Sequence, residues 1–589
     1  MVNFGKFVPV PELPSKKEKP LKNEVGREEY MGLLKKVMID FDSVINDDCE
    51  SLKPKLEENS LEMDALKSTQ CFYIALLELD PQVVHVARDM IERSEHQFED
   101  FRKTVESSTE NYGSYPPGSE IQVFNSLFLL MDTILGFMSG SLMESMKATY
   151  RLRTTHNSFS KLLEDVEKVQ KEKASGIRAV NNSSDAFLDE IVESGAMAGY
   201  GVLNFLVSMF PSSYSKIISF ICFNPNRKQA IEGLWKSSMY NNVLGAASLI
   251  TLFTFYGMIQ PIASISTVHY DSELSRLESH IQNFKTRYRK SLLWQFMELK
   301  ISLLTGNPEK AIKIGNQTVT TTSEQLINLQ GFDMAMACVC VRDFKSAAKQ
   351  FLILQEMNSW FRGLHWYFAG CCMLQHAKEL EKIKNADPNE YNAFVQDGVD
   401  LLVKSLSSLQ EKESKRLLPM EKFSIRKVLK WEKKAKAENK PLHQVITVPP
   451  YLQFLYAFVV CTLGFKRYNE DYKQDLLESA CHDEDDIALQ DFLLAVIERM
   501  QKNYKSSNAR LSRILLLNQA SLLGDDKDFW IFPYAHYELA ASNWFEYGME
   551  AELEVRRLVK KAESFQDYDV EERMGILAKI AYQTLDSAK

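Results

Sequence analysis

Apolar residues recur along this chain at intervals of three and four, the spacing that puts them on one face of a helix. Tyr30, Leu33, Leu34, Val37 and Ile45 set the pattern. It continues over Leu61 to Leu79 and over Pro81 to Glu106, where proline at the first turn lacks only an N–H that would have had no helical partner. Pro116-Pro117 marks a break, after which a long apolar helix is predicted from Ile121 to Met146, running on into Tyr150–Arg153. Glu164 to Lys173 is charged on most faces and reads, with the polar Ser175 to Ser184, as a loop between packed regions. Further helices are predicted over Leu277–Lys300, 360–375 with partner Asn389–Gln410, Tyr451–Phe465, Pro533–Tyr547, Glu550–Glu563 and Val570–Leu585. The segment His376 to Pro388 reads as a long charged connection, and Asp471 to Asp486 as a loop or short helix. No alternation of strand type interrupts the series.

One short motif occurs twice between such helices. Gly306-Asn307-Pro308-Glu309-Lys310-Ala311 and Arg342-Asp343-Phe344-Lys345-Ser346-Ala347 place their alanines 347 − 311 = 36 residues apart, close to the length of one tetratricopeptide unit. Small residues at 335 and 347 let two antiparallel helices approach, and Phe351 wedges them. A hairpin of this kind cannot bury its own apolar face and needs neighbours on both sides. The predicted fold is therefore all-α, an array of tetratricopeptide-like helical hairpins. Its expected divisions are a flexible arm (1–25), N-terminal helices (26–115), an apolar helical region (116–275), hairpins (276–410), a basic helical or linker segment (411–448) and C-terminal hairpins (449–589).

Ala196 to Ile265 is the most apolar part of the chain. Val243 to Ile259 carries no charge for 17 residues, a marginal length for crossing a bilayer, and Ala196 to Cys222 is interrupted by Pro211 and Lys216. No second unbroken stretch pairs with it, so buried helices of the array are expected, with lipid contact as the alternative.

Net charge is −9, from 70 basic and 79 acidic residues, which gives no general attraction to nucleic acid. Between Glu411 and Lys440 eleven Lys or Arg stand against five acids, the one substantial basic run. It reads as a solvated helix face, with a phosphate or acidic-partner surface as the sharper alternative. Nine cysteines without a secretory leader point to reduced thiols in the cytoplasm or nucleus.

Phosphate loops, dinucleotide fingerprints, nucleophile elbows and zinc helices have no match in the sequence, which removes the commonest enzymes. Cys338, Cys340, Cys371 and Cys372, with His365 and His376, are the best metal candidates, but their spacing is not that of compact zinc sites, and packed thiols are expected, with no cofactor. The acids Asp483, Glu484, Asp485 and Asp486 after Cys481-His482 are expected to be solvated. Within Trp360, Phe361, Trp366, Tyr367 and Phe368, interior packing is the default. Arg362 and Trp366 are the candidate partner-binding residues, a guanidinium for carboxylate capture beside an aromatic anchor.

Several blocks resemble a known family. Gly201-Val202-Leu203-Asn204-Phe205 through Phe210-Pro211, with Ile218-Ser219-Phe220 and Phe223, is similar to the central signature of the tetratricopeptide-repeat-protein-39 family, which includes the fungal inclusion-body-clearance proteins. Tyr150–Arg153, Glu421-Lys422-Phe423 with Arg426-Lys427, Pro450-Tyr451-Leu452, Pro533-Tyr534-Ala535 with Glu538-Leu539-Ala540, Lys561-Ala562, and Tyr568 with Glu572-Arg573 follow in family order. Leu553, where a repeat prefers alanine, and the N-terminal lysines depart from it. The resemblance implies a soluble, non-catalytic scaffold that binds proteins. For the fungal branch it implies inclusions and lipid droplets; for the animal branch, adaptors of lipid regulation and ubiquitination. It brings no established binding residues.

Overall fold

The computed structural model describes residues 26–46, 60–78, 81–106, 113–138, 142–176, 183–209, 226–265, 270–317, 324–357, 361–384, 387–412, 417–459, 465–524 and 527–588. The predicted arm 1–25, Trp360, Cys222 and the signature residues Phe210 to Phe223 lie outside them. Among the described residues the regular structure is helical, without a strand.

The chain runs α1 (Arg27–Ile45), α2 (Leu61–Glu78), α3 (Pro81–Glu106), α4 (Ser119–Met138), α5 (Leu142–Ala174), α6 (Ser183–Met209), α7 (Arg227–Ser237) and α8 (Val243–Phe253). It continues with α9 (Tyr270–Arg287), α10 (Leu292–Leu304), α11 (Pro308–Gly315), α12 (Glu324–Cys340), α13 (Phe344–Met357), α14 (Arg362–Glu381), α15 (Pro388–Gln410), α16 (Pro419–Glu438), α17 (Leu442–Val445) and α18 (Pro450–Phe454). The C-terminal part is α19 (Phe465–Leu477), α20 (Glu484–Met500), α21 (Tyr504–Leu516), α22 (Ile531–Tyr547), α23 (Glu552–Glu563) and α24 (Glu571–Ser587). Consecutive helices pack as hairpins, α14 against α15 most extensively. There Gly370 and Gly398 face each other: a Cβ on Gly370 would stand 2.9 Å from the Gly398 carbonyl oxygen, and one on Gly398 3.2 Å from that of Gly370.

Four predicted boundaries shift. The helix expected over Ile121–Met146 is two, α4 and α5. The charged Glu164–Lys173 is the end of α5 and not a loop, because Phe159, Leu162, Val166 and Val169 form a buried stripe beneath the charges. The helix expected over Leu277–Lys300 is interrupted before Ser291, and α14 continues to Glu381 through part of the expected connection. Leu553 points outward, 83% exposed, so the repeat's small residue is not needed there.

Three turns share one geometry. Gly306, Arg342 and Lys502 have φ of 78°, 64° and 62°. The next residue, Asn307, Asp343 or Asn503, donates its N–H to the carbonyl five residues back, at 2.8, 2.9 and 2.8 Å. Its own carbonyl accepts from Ala311, Ala347 or Ser507, each buried where the helices cross. The third turn, Lys502-Asn503-Tyr504-Lys505-Ser506-Ser507, escapes a search for the first two because serine stands where both have alanine.

The two charge runs meet in the interior at Asp485 and Asp486, so the solvated readings are corrected there, while Asp483 and Glu484 stay exposed as expected. Lys427 and Lys430 on α16 are buried, and Lys430 reaches Asp485, Asp486 (3.1 Å) and Asp528 (2.8 Å). Lys427 lies 2.9 Å and Arg426 2.8 Å from Asp528, and Arg426 also pairs with Asp569. The Asp528 N–H donates to Asp485 at 2.9 Å and the Trp530 indole to Asp528 at 3.1 Å. Burial pushes the Asp528 carboxyl up, but Lys427, Lys430 and Arg426 outweigh it and hold it well below its usual range. Burial in turn lowers the Lys427 ammonium to about 8 against the attraction of Asp528. The outward lysines of α16, among them Lys422 and Lys436, are what remains of the expected exposed face.

Removing Asp528 strands the Lys427 ammonium in the core and takes one counter-charge each from Lys430 and Arg426. Asp528→Ala is expected to lower stability by about 3–5 kcal/mol in urea unfolding. Lys502→Gly, at an exposed left-handed position, is expected to raise it by about 0.5–1 kcal/mol. Arg342→Gly is expected to lower it, because the Arg342 guanidinium pairs with Asp475 and Glu379.

Candidate functional site

The array does not stay open. After α8 the helix widens into a π-turn over Thr254–Ile259 and a 3-10 turn over Gln260–Ile262, and then extends, with Ala263 at φ −98° and ψ 134°. This segment crosses to the C-terminal hairpins. The Ser264 hydroxyl donates to Glu538 at 2.6 Å, the Ile265 N–H donates to the Tyr537 hydroxyl at 3.3 Å, and Arg573 donates to the Ile262 carbonyl at 3.1 Å. Ala263 and Ile265 are fully buried in the C-terminal core. Nearby, Gln583 donates to the Ser208 carbonyl at 3.2 Å and accepts from Arg227, so α24 also touches α6 and α7.

The groups that receive the segment come from α20, α22 and α24, alternate helices of the C-terminal series, and from a second π-turn, Leu455–Val459. Glu538 is buried and also accepts from Tyr456 (3.0 Å) and from Arg499 (2.9 Å). The Arg573 guanidinium lies over Tyr456 and Tyr534, at 5.5 and 5.7 Å from the ring centroids. Charge, aromatic faces and hydrogen-bonding groups thus converge on an extended backbone. None of these residues was a sequence candidate, since the contacts span 272 to 311 positions.

Arg362 and Trp366 sit elsewhere, on the first turns of α14. Trp366 is buried beneath Lys404, whose ammonium lies 4.2 Å from the ring centroid. Arg362 donates to the Gln355 carbonyl at 3.4 Å and meets no carboxylate at ion-pair distance among the described residues. Tyr367 and Phe368 are interior. The thiols of Cys338, Cys340, Cys371 and Cys372 are free and buried; burial pushes all four up, the first two to about 12. Among the described residues no three His, Cys, Asp or Glu side chains are grouped to hold a metal.

A cleft of about 450 Å³ opens between α3 and α5 over α4. Its charges are spent on one another: Arg88 pairs with Asp132 (2.7 Å) and Glu144 (2.5 Å), and Arg151 with Asp132. Among the described residues three helices are long and apolar enough to cross a membrane, Ser119–Met138, Ala186–Ser208 and Val243–Ile262, which corrects the expectation of a single such stretch. The apolar windows are 61%, 72% and 67% buried inside the protein.

Paired helices, left-handed caps and small residues at the crossings define a tetratricopeptide-type helical-repeat protein. The chain belongs to the Iml2/Tetratricopeptide repeat protein 39 family, whose model matches residues 38–501. It is 38% identical to an uncharacterized protein of Schizosaccharomyces pombe over all of both chains. It is 22% identical to the inclusion body clearance protein iml2 of Aspergillus niger, over 92% of this chain and 93% of that one. An IML2-like protein of Saccharomyces cerevisiae is 24% identical over 68% of this chain and 61% of its own. Among solved structures, the human IFIT1 dimer with m7Gppp-AAAA aligns over 96% of each chain with a TM-score of 0.30 at 10% identity. The Cut9–Hcn1 hetero-tetramer of the APC/C aligns over the same shares at 0.22 and 12%.

His365, on the same helix as Trp366, supplies a pH test. Burial lowers its pKa to about 4. Between about 6.5 and 4 the unfolded chain binds a proton that the folded chain does not, so stability falls as pH falls through that window. His365→Phe, which keeps a ring against Phe351, is expected to remove about 2 kcal/mol of the loss between pH 7 and pH 5, read from urea midpoints.

Proposed function

We propose that this protein is a non-catalytic scaffold that binds proteins during the clearance of misfolded-protein inclusions, in the cytoplasm and at lipid droplets. The observation that carries this reading is the surface formed by α20, α22 and α24, whose side chains hold an extended polypeptide by its backbone. Support comes also from relatives that bear the name inclusion body clearance protein and align over nearly the whole chain. The buried thiols, and the basic and acidic runs spent on internal pairing, leave these groups to structure rather than chemistry.

One observation favours the lipid component. On α5, Met143, Met146 and Tyr150 stand on one face at helical spacing and are 67%, 68% and 76% exposed, with Lys147 alongside. Apolar side chains flanked by a cation suit the boundary of a lipid surface. A lipid-surface protein of lipid homeostasis, or an adaptor for ubiquitination of a regulatory protein, is the alternative reading.

The test is the lifetime of a fluorescent misfolded reporter in cells lacking this protein. Inclusions are expected to persist longer, with clearance restored by the wild-type chain. Unchanged inclusion lifetimes would sink the reading. Met146→Glu with Tyr150→Glu is expected to reduce colocalisation with lipid droplets while changing stability by no more than about 0.5 kcal/mol, since both side chains are exposed.

A further inference from the structure

We propose that the surface formed by Tyr456, Arg499, Tyr537, Glu538 and Arg573 is a binding site for extended peptides of the pattern apolar–small–Ser/Thr–apolar, and that Ile262–Ile265 is its resident ligand, displaced when a partner segment binds. This rests on the scaffold reading and names the chemistry of the partner.

Three features carry it. First, two of the three polar contacts are to main-chain atoms, the Ile262 carbonyl and the Ile265 N–H, and the third is to a side-chain hydroxyl. Backbone contacts hold any extended chain, while a hydroxyl donor between small and apolar positions selects among them. Ala263 and Ile265 are both fully buried in the C-terminal core.

Second, Glu538 does not depend on the segment for its own satisfaction. With Ser264 lifted away, Glu538 keeps the Arg499 guanidinium on one oxygen and the Tyr456 hydroxyl on the other. Arg573 keeps its place over Tyr456 and Tyr534. The emptied surface presents one carboxylate lone pair, one hydroxyl and one guanidinium N–H to the next occupant.

Third, the segment is attached through irregular backbone. It follows the π-turn Thr254–Ile259 and Pro261, and Tyr456 belongs to the second π-turn. A π-turn replaces the regular helical ladder, and such turns concentrate at functional sites.

The test uses the full chain and a fluorescein-labelled peptide of residues 258–268. In Ser264→Asp, a carboxylate faces Glu538 and the resident segment is disfavoured. This variant is expected to bind the peptide about tenfold or more tightly than the wild-type chain, because the competent fraction rises. Adding Glu538→Ala is expected to abolish binding, and a peptide with aspartate in place of its Ser264 should not bind. Should Ser264→Asp fail to fold, hydrogen exchange of the wild-type Ile265 amide decides: saturating peptide is expected to accelerate it. A folded Ser264→Asp that binds no peptide, or equal affinity in variant and wild type, or exchange unmoved by peptide, would overturn the site. Persistence of reporter inclusions in cells lacking the protein, alongside any of those results, would confine the failure to this surface and leave the scaffold reading standing.

Discussion

A helical hairpin always leaves one apolar face that only a neighbour can cover, and an array of hairpins passes that debt along until something covers the last one. Here the middle of the chain does so. Ala263 and Ile265 enter the C-terminal core, α24 reaches back to Ser208 and Arg227, and the array closes on itself. The most apolar stretch of the chain thereby becomes interior packing, although its length and composition also fit a membrane span. Closure brings an extended segment across the C-terminal helices, and that is where the candidate docking surface arises.

Buried carboxylates give the packed helices their register. Asp528, Glu538 and Asp475 each serve three or more donors from segments distant in sequence. Asp475 accepts from Tyr451 at 2.7 Å, from Arg342 at 2.8 Å, and at 3.4 Å from both Lys382 and Gln375. An interior of low dielectric makes an unpartnered charge costly, so a slip of one helix past another would strand several ions together. The same logic explains why Arg342 holds a left-handed turn where glycine would be unstrained. Its guanidinium ties the turn to Asp475 and Glu379, a bond that glycine cannot make.

Much of the architecture was legible because it rests on local chemistry. The 3.6-residue period marked the helices, and the turn motif marked two hairpins. The third was hidden by Ser507, which satisfies the same backbone geometry with a different side chain. Charge alone does not mark a loop at Glu164–Lys173, because a stripe of four apolar residues suffices to hold a helix there. Arg362 and Trp366 were drawn from residue type alone. Trp366 proved to be covered by Lys404, whereas Glu538, Tyr456 and Arg573 carry no local mark of their role.

The sequence by itself determined the helical class, the repeated turn motif and the family, because each depends on residues within a few turns or on the order of blocks along the chain. Only the tertiary structure decided that the basic run of α16 answers the acids at 485, 486 and 528, and that Ser264 meets Glu538. Those pairings join side chains separated by 55 to 274 positions, and the preference of a charge for its counter-charge depends on distance in space and on the water excluded between them, neither of which the order of residues records.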